Sequence, residues 1–185
     1  MTSRILGIDP GLTRCGYGII NADKSRKATL VDVGVIQSQA TSELVERIGL
    51  ICQGVQELID AHKPDSIAIE RVFSQSNVST VMGVAQISGA IMLLAYKAGI
   101  PVSLHTPTAV KAAVTGDGKA NKDAVAKMVC RILGLTEIPK PVDATDALAL
   151  AICHSWSLVL PAASETQTAA QKKWASALAA SKPKR

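Results

Sequence analysis

Short apolar runs alternate with longer amphipathic stretches along this chain, and the pattern predicts strands and helices in a definite order. Five runs have the length and β-branched content of strands, at residues 5–9, 16–20, 29–36, 66–70 and 101–105. Stretches with helical spacing of apolar residues occupy residues 42–62, 79–98, 107–114, 122–133 and 143–156. The order β-β-β-α-β-α-β-α-α-α favours an α/β fold, a mixed five-stranded sheet flanked by helices.

The connections between the predicted strands indicate how the sheet is ordered. Short turns link the first three strands, so we expect an antiparallel meander. The fourth strand follows a helix, and a right-handed crossover can place it parallel beside the first strand. The first strand then lies centrally, and the acids that end these two strands, Asp9 and Glu70, become neighbours.

Carboxylates interrupt apolar runs at four places, Asp9, Glu70, Asp143 and Asp146. An acid at the end of a buried strand is costly unless something neutralises it. Asp143 and Asp146 stand three residues apart at the start of the last helix, which places them on one face. Clustered carboxylates repel one another, and a hard divalent cation with oxygen ligands neutralises them. The pattern therefore predicts a metal site, and paired ions of this kind are the usual device for phosphodiester hydrolysis.

Each acid also has an ordinary structural role as an alternative. Asp143 and Asp146 suit the first turn of a helix, Asp9 suits a turn beside Pro10, and Glu70 can pair with Arg71. One shared site explains all four positions with a single hypothesis, and we prefer it for that reason.

Charge is unevenly distributed along the chain. No acid follows Glu165, and five bases beyond Gln171 account for the net charge of +5: Lys172, Lys173, Lys182, Lys184 and Arg185. We expect residues 1–160 to form one domain and residues 161–185 to be a disordered basic tail. Residues 107–131 hold a second group of bases, which suits a polyanion bound beside the acids.

Composition excludes several other classes of protein. The 48% apolar content is that of a globular chain, and no apolar run approaches the length of a membrane span. The N-terminus does not resemble a signal peptide. The four cysteines are widely spaced without a Cys-x-x-Cys pair, which argues against a zinc or redox motif and favours a reduced, cytoplasmic setting.

Short motifs occur in a fixed order between Arg4 and Trp156. They are Gly7-Ile8-Asp9-Pro10-Gly11 with Gly16-Tyr17-Gly18, Ala68-Ile69-Glu70-Arg71-Val72-Phe73, His105-Thr106-Pro107-Thr108-Ala109-Val110-Lys111, Gly116-Asp117-Gly118-Lys119-Ala120-Asn121-Lys122 and Asp143-Ala144-Thr145-Asp146-Ala147-Leu148-Ala149. The first motif alone also fits actin-like phosphate loops, whereas the ordered set is specific. The set resembles the RuvC family of Holliday junction resolvases. Thr145 departs from it, since many relatives have alanine there, and we expect the threonine to be tolerated.

The resemblance implies a ribonuclease-H-like fold, a homodimer and magnesium-dependent cleavage of four-way DNA junctions in recombination and repair. By this resemblance Asp9, Glu70, Asp143 and Asp146 would be the catalytic residues and the ligands of two Mg²⁺ ions, with Mn²⁺ as a candidate substitute. The family also implies the branch-migration proteins RuvA and RuvB as partners.

Candidate DNA contacts follow from the same resemblance. Lys111 and Lys122 match family lysines that contact DNA, and Phe73 matches an aromatic residue proposed to stack on an unpaired base. Lys119 in the glycine loop is a further candidate, as are Arg14 and Arg71 beside two of the acids. The two arginines could equally offset local charge. The small residues of the helix at 79–98 suggest the dimer surface, although sheet packing explains them equally well.

Rival functions remain open on the sequence alone. A ribonuclease-H-like enzyme acting on RNA–DNA hybrids would use the same acids. A junction-binding protein without cleavage would need only the basic loop, although four acids near phosphate oppose binding without metals. An actin-like phosphotransferase would need two such domains, and 185 residues allow one.

Overall fold

The computed structural model describes residues 2–71 and 78–159, except the side chains of residues 78–80 and 159. Its strands are β1 (Thr2–Asp9), β2 (Arg14–Asp23), β3 (Ala28–Gln37), β4 (Ser66–Glu70) and β5 (Val102–His105). Its helices are α1 (Leu44–His62), α2 (Val78–Lys97), α3 (Pro107–Thr115), α4 (Lys122–Leu133) and α5 (Val142–Val159). Phe73 and the predicted tail at 161–185 lie outside the described residues.

The five strands form one mixed sheet in the order β3-β2-β1-β4-β5. The pairs β1–β2 and β2–β3 are antiparallel, whereas β1–β4 and β4–β5 are parallel. The predicted meander, the central first strand and the parallel fourth strand are all confirmed. Ile8 is in register with Ile69, so Asp9 and Glu70 end neighbouring strands at the same edge of the sheet.

Helices cover both faces of the sheet, and side chains alternate between the faces along each strand. Leu6 and Ile8 of β1 pack in the cluster that contains the buried residues of α1 and α2. Ile5 packs in the cluster that contains those of α3, α4 and α5. Asp9 is four residues after Ile5 in β1, so both side chains lie on the face of the sheet that α5 covers. Among the described helices, none has an apolar run long enough to cross a membrane.

The helix α5 lies unusually close to the sheet because glycines stand beneath it. A Cβ atom added at Gly7 would overlap the carbonyl oxygen of Ala147, and one at Gly16 would overlap that of Asp143. At Gly18 an added Cβ would lie 2.8 Å from the backbone nitrogen of Leu148. Larger residues at these positions would force the helix away from β1 and β2. The glycines therefore set the height of α5 above the sheet.

The ends of several elements differ from the predicted ranges. The strand β2 continues to Asp23, and β3 begins at Ala28, so the turn between them is shorter than predicted. The Asp23 carboxylate closes this turn by accepting hydrogen bonds from the backbone N–H groups of Ser25 and Lys27. The predicted start of the first helix at residue 42 is wrong, since α1 begins at Leu44. The backbone N–H of Ser42 instead donates a hydrogen bond to the carbonyl oxygen of Gln39 in a turn that precedes the helix.

The replacement Gly16→Ala tests the close contact of α5. Gly16 is not among the glycines with a positive φ, so alanine strains the packing and not the backbone conformation. We expect a loss of about 3 kcal/mol in the free energy of unfolding, measured by urea denaturation. Gly49→Ala is the control, because nothing lies within 4 Å of its added Cβ and alanine favours a helix by about 0.5–1 kcal/mol. Equal stability of the two variants would contradict this account of α5.

Candidate metal centre

The ends of β1 and β4 open into a pocket of about 250 Å³. Asp9 and Glu70 line it from the sheet, and Asp146 lines it from α5. Lys111 of α3 and Lys122 of α4 complete its charged lining. The predicted closeness of Asp9 and Glu70 is confirmed, and the pocket places Asp146 and two lysines beside them.

Asp143 lies in the first turn of α5, three residues before Asp146, and is not among the residues that line the pocket. Asp143 is held over β2, because its carbonyl group lies against Gly16, the residue in register with Asp9. Thr145 is buried, with 1% of its surface exposed, and its hydroxyl donates a 2.9 Å hydrogen bond to the carbonyl oxygen of Pro139. This bond satisfies the polar group that replaces alanine and ties the start of α5 to the preceding loop.

Burial and repulsion between the acids raise the pKa of Asp9. Burial raises the pKa of Asp9 to about 7, and the negative charges of Glu70, Asp146 and Asp143 add to the shift in that order. Burial also raises the pKa of Glu70, followed by the charge of Asp146. Mutual repulsion of this kind requires the carboxylates to lie close together. The protein therefore concentrates negative charge at one point without fully neutralising it.

Two cationic side chains partly offset this charge. The Lys122 ammonium lies 2.8 Å from Oδ2 of Asp146, and this hydrogen bond raises the pKa of Lys122. The Arg14 Nε atom lies 3.0 Å from Oδ2 of Asp143. That second contact is a charge pairing without hydrogen-bond alignment, because the buried Oδ2 atom has no hydrogen-bond donor among the described residues.

The donor set fits a hard divalent cation. It consists of carboxylate oxygens, which Mg²⁺ and Mn²⁺ prefer, and it contains an excess of negative charge and an unsatisfied oxygen on Asp143. Within residues 2–71 and 78–159, no three acidic, histidine or cysteine side chains already converge on one ion position. A cation lies beside one oxygen of each α5 acid, Lys122 beside Oδ2 of Asp146 and Arg14 beside Oδ2 of Asp143.

The other candidate residues occupy different places. Lys111, a predicted DNA contact, lines the pocket. Lys119 is exposed on the loop before α4 and is outside the pocket lining, and its backbone N–H is donated to Asp117. Arg71 is exposed after β4. Arg14 contacts Asp143, and of its two predicted roles the offset of local charge is the one for which the structure provides a contact.

A largely buried polar chain escaped the sequence analysis. His105 Nε2 lies 3.1 Å from His154 Nδ1, and His154 Nε2 lies 3.2 Å from the hydroxyl of Ser66. The chain links β5, α5 and β4. Burial lowers the pKa of His154 to about 4, which keeps its ring neutral. No sequence spacing signals this contact, because the three residues are far apart along the chain.

Comparison with known proteins identifies the family. The model of the family described as crossover junction endodeoxyribonuclease RuvC matches residues 5–154. The chain belongs to the RuvC family. The RuvC protein of Paenarthrobacter aurescens is 54% identical over the full length of both chains. That of Clavibacter sepedonicus is 58% identical over 83% of this chain and 75% of its own.

A solved structure agrees with this assignment. Thermus thermophilus RuvC in complex with Holliday junction substrate superposes with a TM-score of 0.81 at 35% identity, covering 85% of this chain and 95% of that one. The predicted ribonuclease-H-like fold and the predicted class, a DNA endonuclease, are therefore confirmed. Membership of the RuvC family also implies that activity depends on a divalent metal ion.

The replacement Asp9→Asn tests the electrostatic cost of the site. Because the folded-state pKa of Asp9 is about 7 against an ordinary 3.8, the ionised group destabilises the metal-free fold above pH 7. We expect the variant to gain about 1–3 kcal/mol of unfolding free energy in EDTA at pH 8. The gain should shrink as the pH falls from 7 toward 4, because over this range Asp9 holds a proton in the folded wild type and not in the unfolded chain.

Urea denaturation at several pH values measures this difference. Asp60→Asn is the control, because its carboxylate is exposed and its replacement should change stability by less than about 0.5 kcal/mol. An Asp9→Asn variant that is no more stable than wild type at pH 8 would show that burial and repulsion do not destabilise the ionised Asp9 as described.

Proposed function

We propose that this chain resolves four-way Holliday junctions by paired, symmetric nicks, with Asp9, Glu70, Asp143 and Asp146 as its catalytic metal ligands. The observation that carries the proposal is the single pocket that joins Asp9, Glu70 and Asp146 with two lysines. The family name and the junction complex of the Thermus thermophilus protein support four-way DNA as the substrate.

Two Mg²⁺ ions per active site are the proposed cofactors, with Mn²⁺ able to replace them. Bound ions of this type supply a water molecule of lowered pKa and neutralise charge on the leaving 3′-oxygen. Asp9 is the candidate for a ligand shared by both ions, because it ends the central strand between Glu70 on β4 and the acids of α5. The products would be 5′-phosphate and 3′-hydroxyl ends, which a ligase can seal.

Basic side chains would position the DNA backbone at these acids. Lys111 and Lys122 line the same pocket and lie where a phosphate would sit next to the carboxylates. Lys119 on the exposed loop would contact a phosphate farther along the strand, and Arg14 and Arg71 are candidates for flanking contacts. Phe73 follows β4 three residues after Glu70, and its proposed role is to stack on an unpaired base at the junction.

We also propose a homodimer, since a four-way junction is nearly two-fold symmetric and two active sites must cut opposite strands. The helix α2 supports this, because one exposed stripe on it carries Met82, Gly89, Leu93 and Tyr96. These positions are spaced as one face of a helix. A second copy of the same apolar stripe would cover it.

Proposed partners and setting follow from the family. RuvA and RuvB, the branch-migration proteins, are proposed to deliver the junction to this enzyme. A cytoplasmic location is proposed, and the four cysteines, none of them in a disulfide, are compatible with a reduced compartment.

The deciding experiment compares cleavage of a labelled four-way junction, a linear duplex and an RNA–DNA hybrid, each with Mg²⁺ or EDTA. We expect paired, ligatable nicks in the junction alone, abolished by EDTA. Asp9→Asn should cut at least about a hundredfold more slowly while still binding the junction, and Asp60→Asn should cut normally. Cleavage of the hybrid instead would reassign the substrate, and junction binding without any cleavage would refute the catalytic role of the acids.

The replacement Leu93→Glu tests the proposed dimer surface. Leu93 is 53% exposed on α2, and a charge placed in an apolar interface should raise the dimer dissociation constant at least about tenfold. Leu50→Glu is the matched control, since Leu50 is 48% exposed on α1. Light scattering coupled to gel filtration would measure the mass of each species. A monomeric wild type at micromolar concentration, or a Leu93→Glu variant that dimerises like Leu50→Glu, would contradict the assignment.

A further inference from the structure

Lys122 makes a contact that a lysine serving solely to bind DNA does not need. Its ammonium lies 2.8 Å from Oδ2 of Asp146 inside the pocket, and it also interacts with the charges of Asp9 and Asp143. Lys122 is the first residue of α4, and Asn121 caps this helix by accepting a hydrogen bond from the backbone N–H of Ala124. A fixed helix end therefore holds the base of this side chain next to the acids.

We propose that Lys122 is a built-in counter-ion that occupies a carboxylate oxygen of Asp146 in the metal-free protein and competes with the metal ion for it. Metal binding then releases the ammonium, which becomes free to meet a phosphate at the mouth of the same pocket. The inference rests on the proposed function for the identity of Asp146 as a metal ligand. It assigns to Lys122 a role in metal binding, which precedes its contact with DNA.

The burial of the two partners supports an exchange of contacts rather than a permanent bond. The Asp146 side chain is 21% exposed, whereas that of Lys122 is 67% exposed. The lysine can therefore leave without opening a cavity. Packing of α4 against α5 does not depend on the ion pair, because Val125 and Val129 lie in the same buried cluster as residues of α5.

Competition follows from the distances involved. An oxygen that accepts a hydrogen bond at 2.8 Å cannot offer the same lone pair to a metal ion at about 2.1 Å. An ion that uses this lone pair must first displace the ammonium, and one that binds beside it is repelled by the ammonium charge. For a partly exposed ion pair worth about 0.4–1 kcal/mol, the displacement weakens metal binding about two- to fivefold.

Lys111 provides a matched comparison within the same pocket. It also lines the pocket, and its charge lowers the pKa of Glu70. Among the described residues, however, its ammonium makes no ion pair within 4.0 Å. Removing Lys111 changes the general field in the pocket, while removing Lys122 also frees a ligand oxygen.

The experiment measures Mg²⁺ binding by calorimetry in the full chain without DNA. Lys122→Met should bind Mg²⁺ about two- to fivefold more tightly than wild type, Lys111→Met should show less than half of that gain, and Lys122→Arg should retain the wild-type affinity. In EDTA the melting temperature of Lys122→Met should fall below that of wild type, and saturating Mg²⁺ should close the difference. Lys122→Gln replaces the methionine variant if the latter does not fold.

Two results would overturn the inference. An unchanged or weaker Mg²⁺ affinity of Lys122→Met would show that the ammonium does not compete, and an equal gain in Lys111→Met would show that only the general field matters. Neither result depends on cleavage. A wild-type chain that binds Mg²⁺ but never cuts a junction would refute the proposed function and leave the counter-ion intact.

Discussion

The contact between α5 and the glycines of β1 and β2 is the constraint on which the site depends. Gly7 and Gly16 leave no room for a side chain beneath the helix, so the backbone of α5 lies directly on the sheet. This close approach brings Asp143 and Asp146 within Coulombic range of Asp9. A helix held farther away by ordinary side chains would cover the sheet as well but would leave the acids apart.

The same geometry makes the site costly to the fold. Burial and repulsion raise the pKa of Asp9 to about 7, and an oxygen of Asp143 remains without a hydrogen-bond donor among the described residues. Lys122 and Arg14 offset part of the negative charge. The cluster, whose charge suits divalent ions, destabilises the fold locally. The buried residues on the two faces of the sheet stabilise it and offset this cost. A cluster that was fully neutralised by its own protein would have less affinity for metal.

Much of this arrangement could be predicted from the sequence, because it follows from local patterns. Apolar runs that end in an acid identified Asp9 and Glu70, and the right-handed crossover rule placed them side by side. The three-residue spacing placed Asp143 and Asp146 on one face of a helix. The family resemblance predicted Lys111 and Lys122 as DNA contacts, and the structure places both in the lining of the pocket.

Other features depend on contacts between distant segments and were not predictable in this way. The role of Gly16 requires knowing which helix crosses it, and the pairing of Lys122 with Asp146 joins two helices. The chain from His105 through His154 to Ser66 likewise appears only when three elements are packed. The roles of Phe73 and of residues 161–185 remain predictions, since these residues lie outside the described part of the chain.

The most direct measurement is an anomalous difference map from crystals of the chain soaked in Mn²⁺. The account predicts density between the carboxylates of Asp9, Glu70, Asp143 and Asp146, and its loss in crystals of Asp9→Asn. Density confined to other positions, or the absence of any peak at these acids at saturating Mn²⁺, would contradict the claim that the four carboxylates form one metal centre.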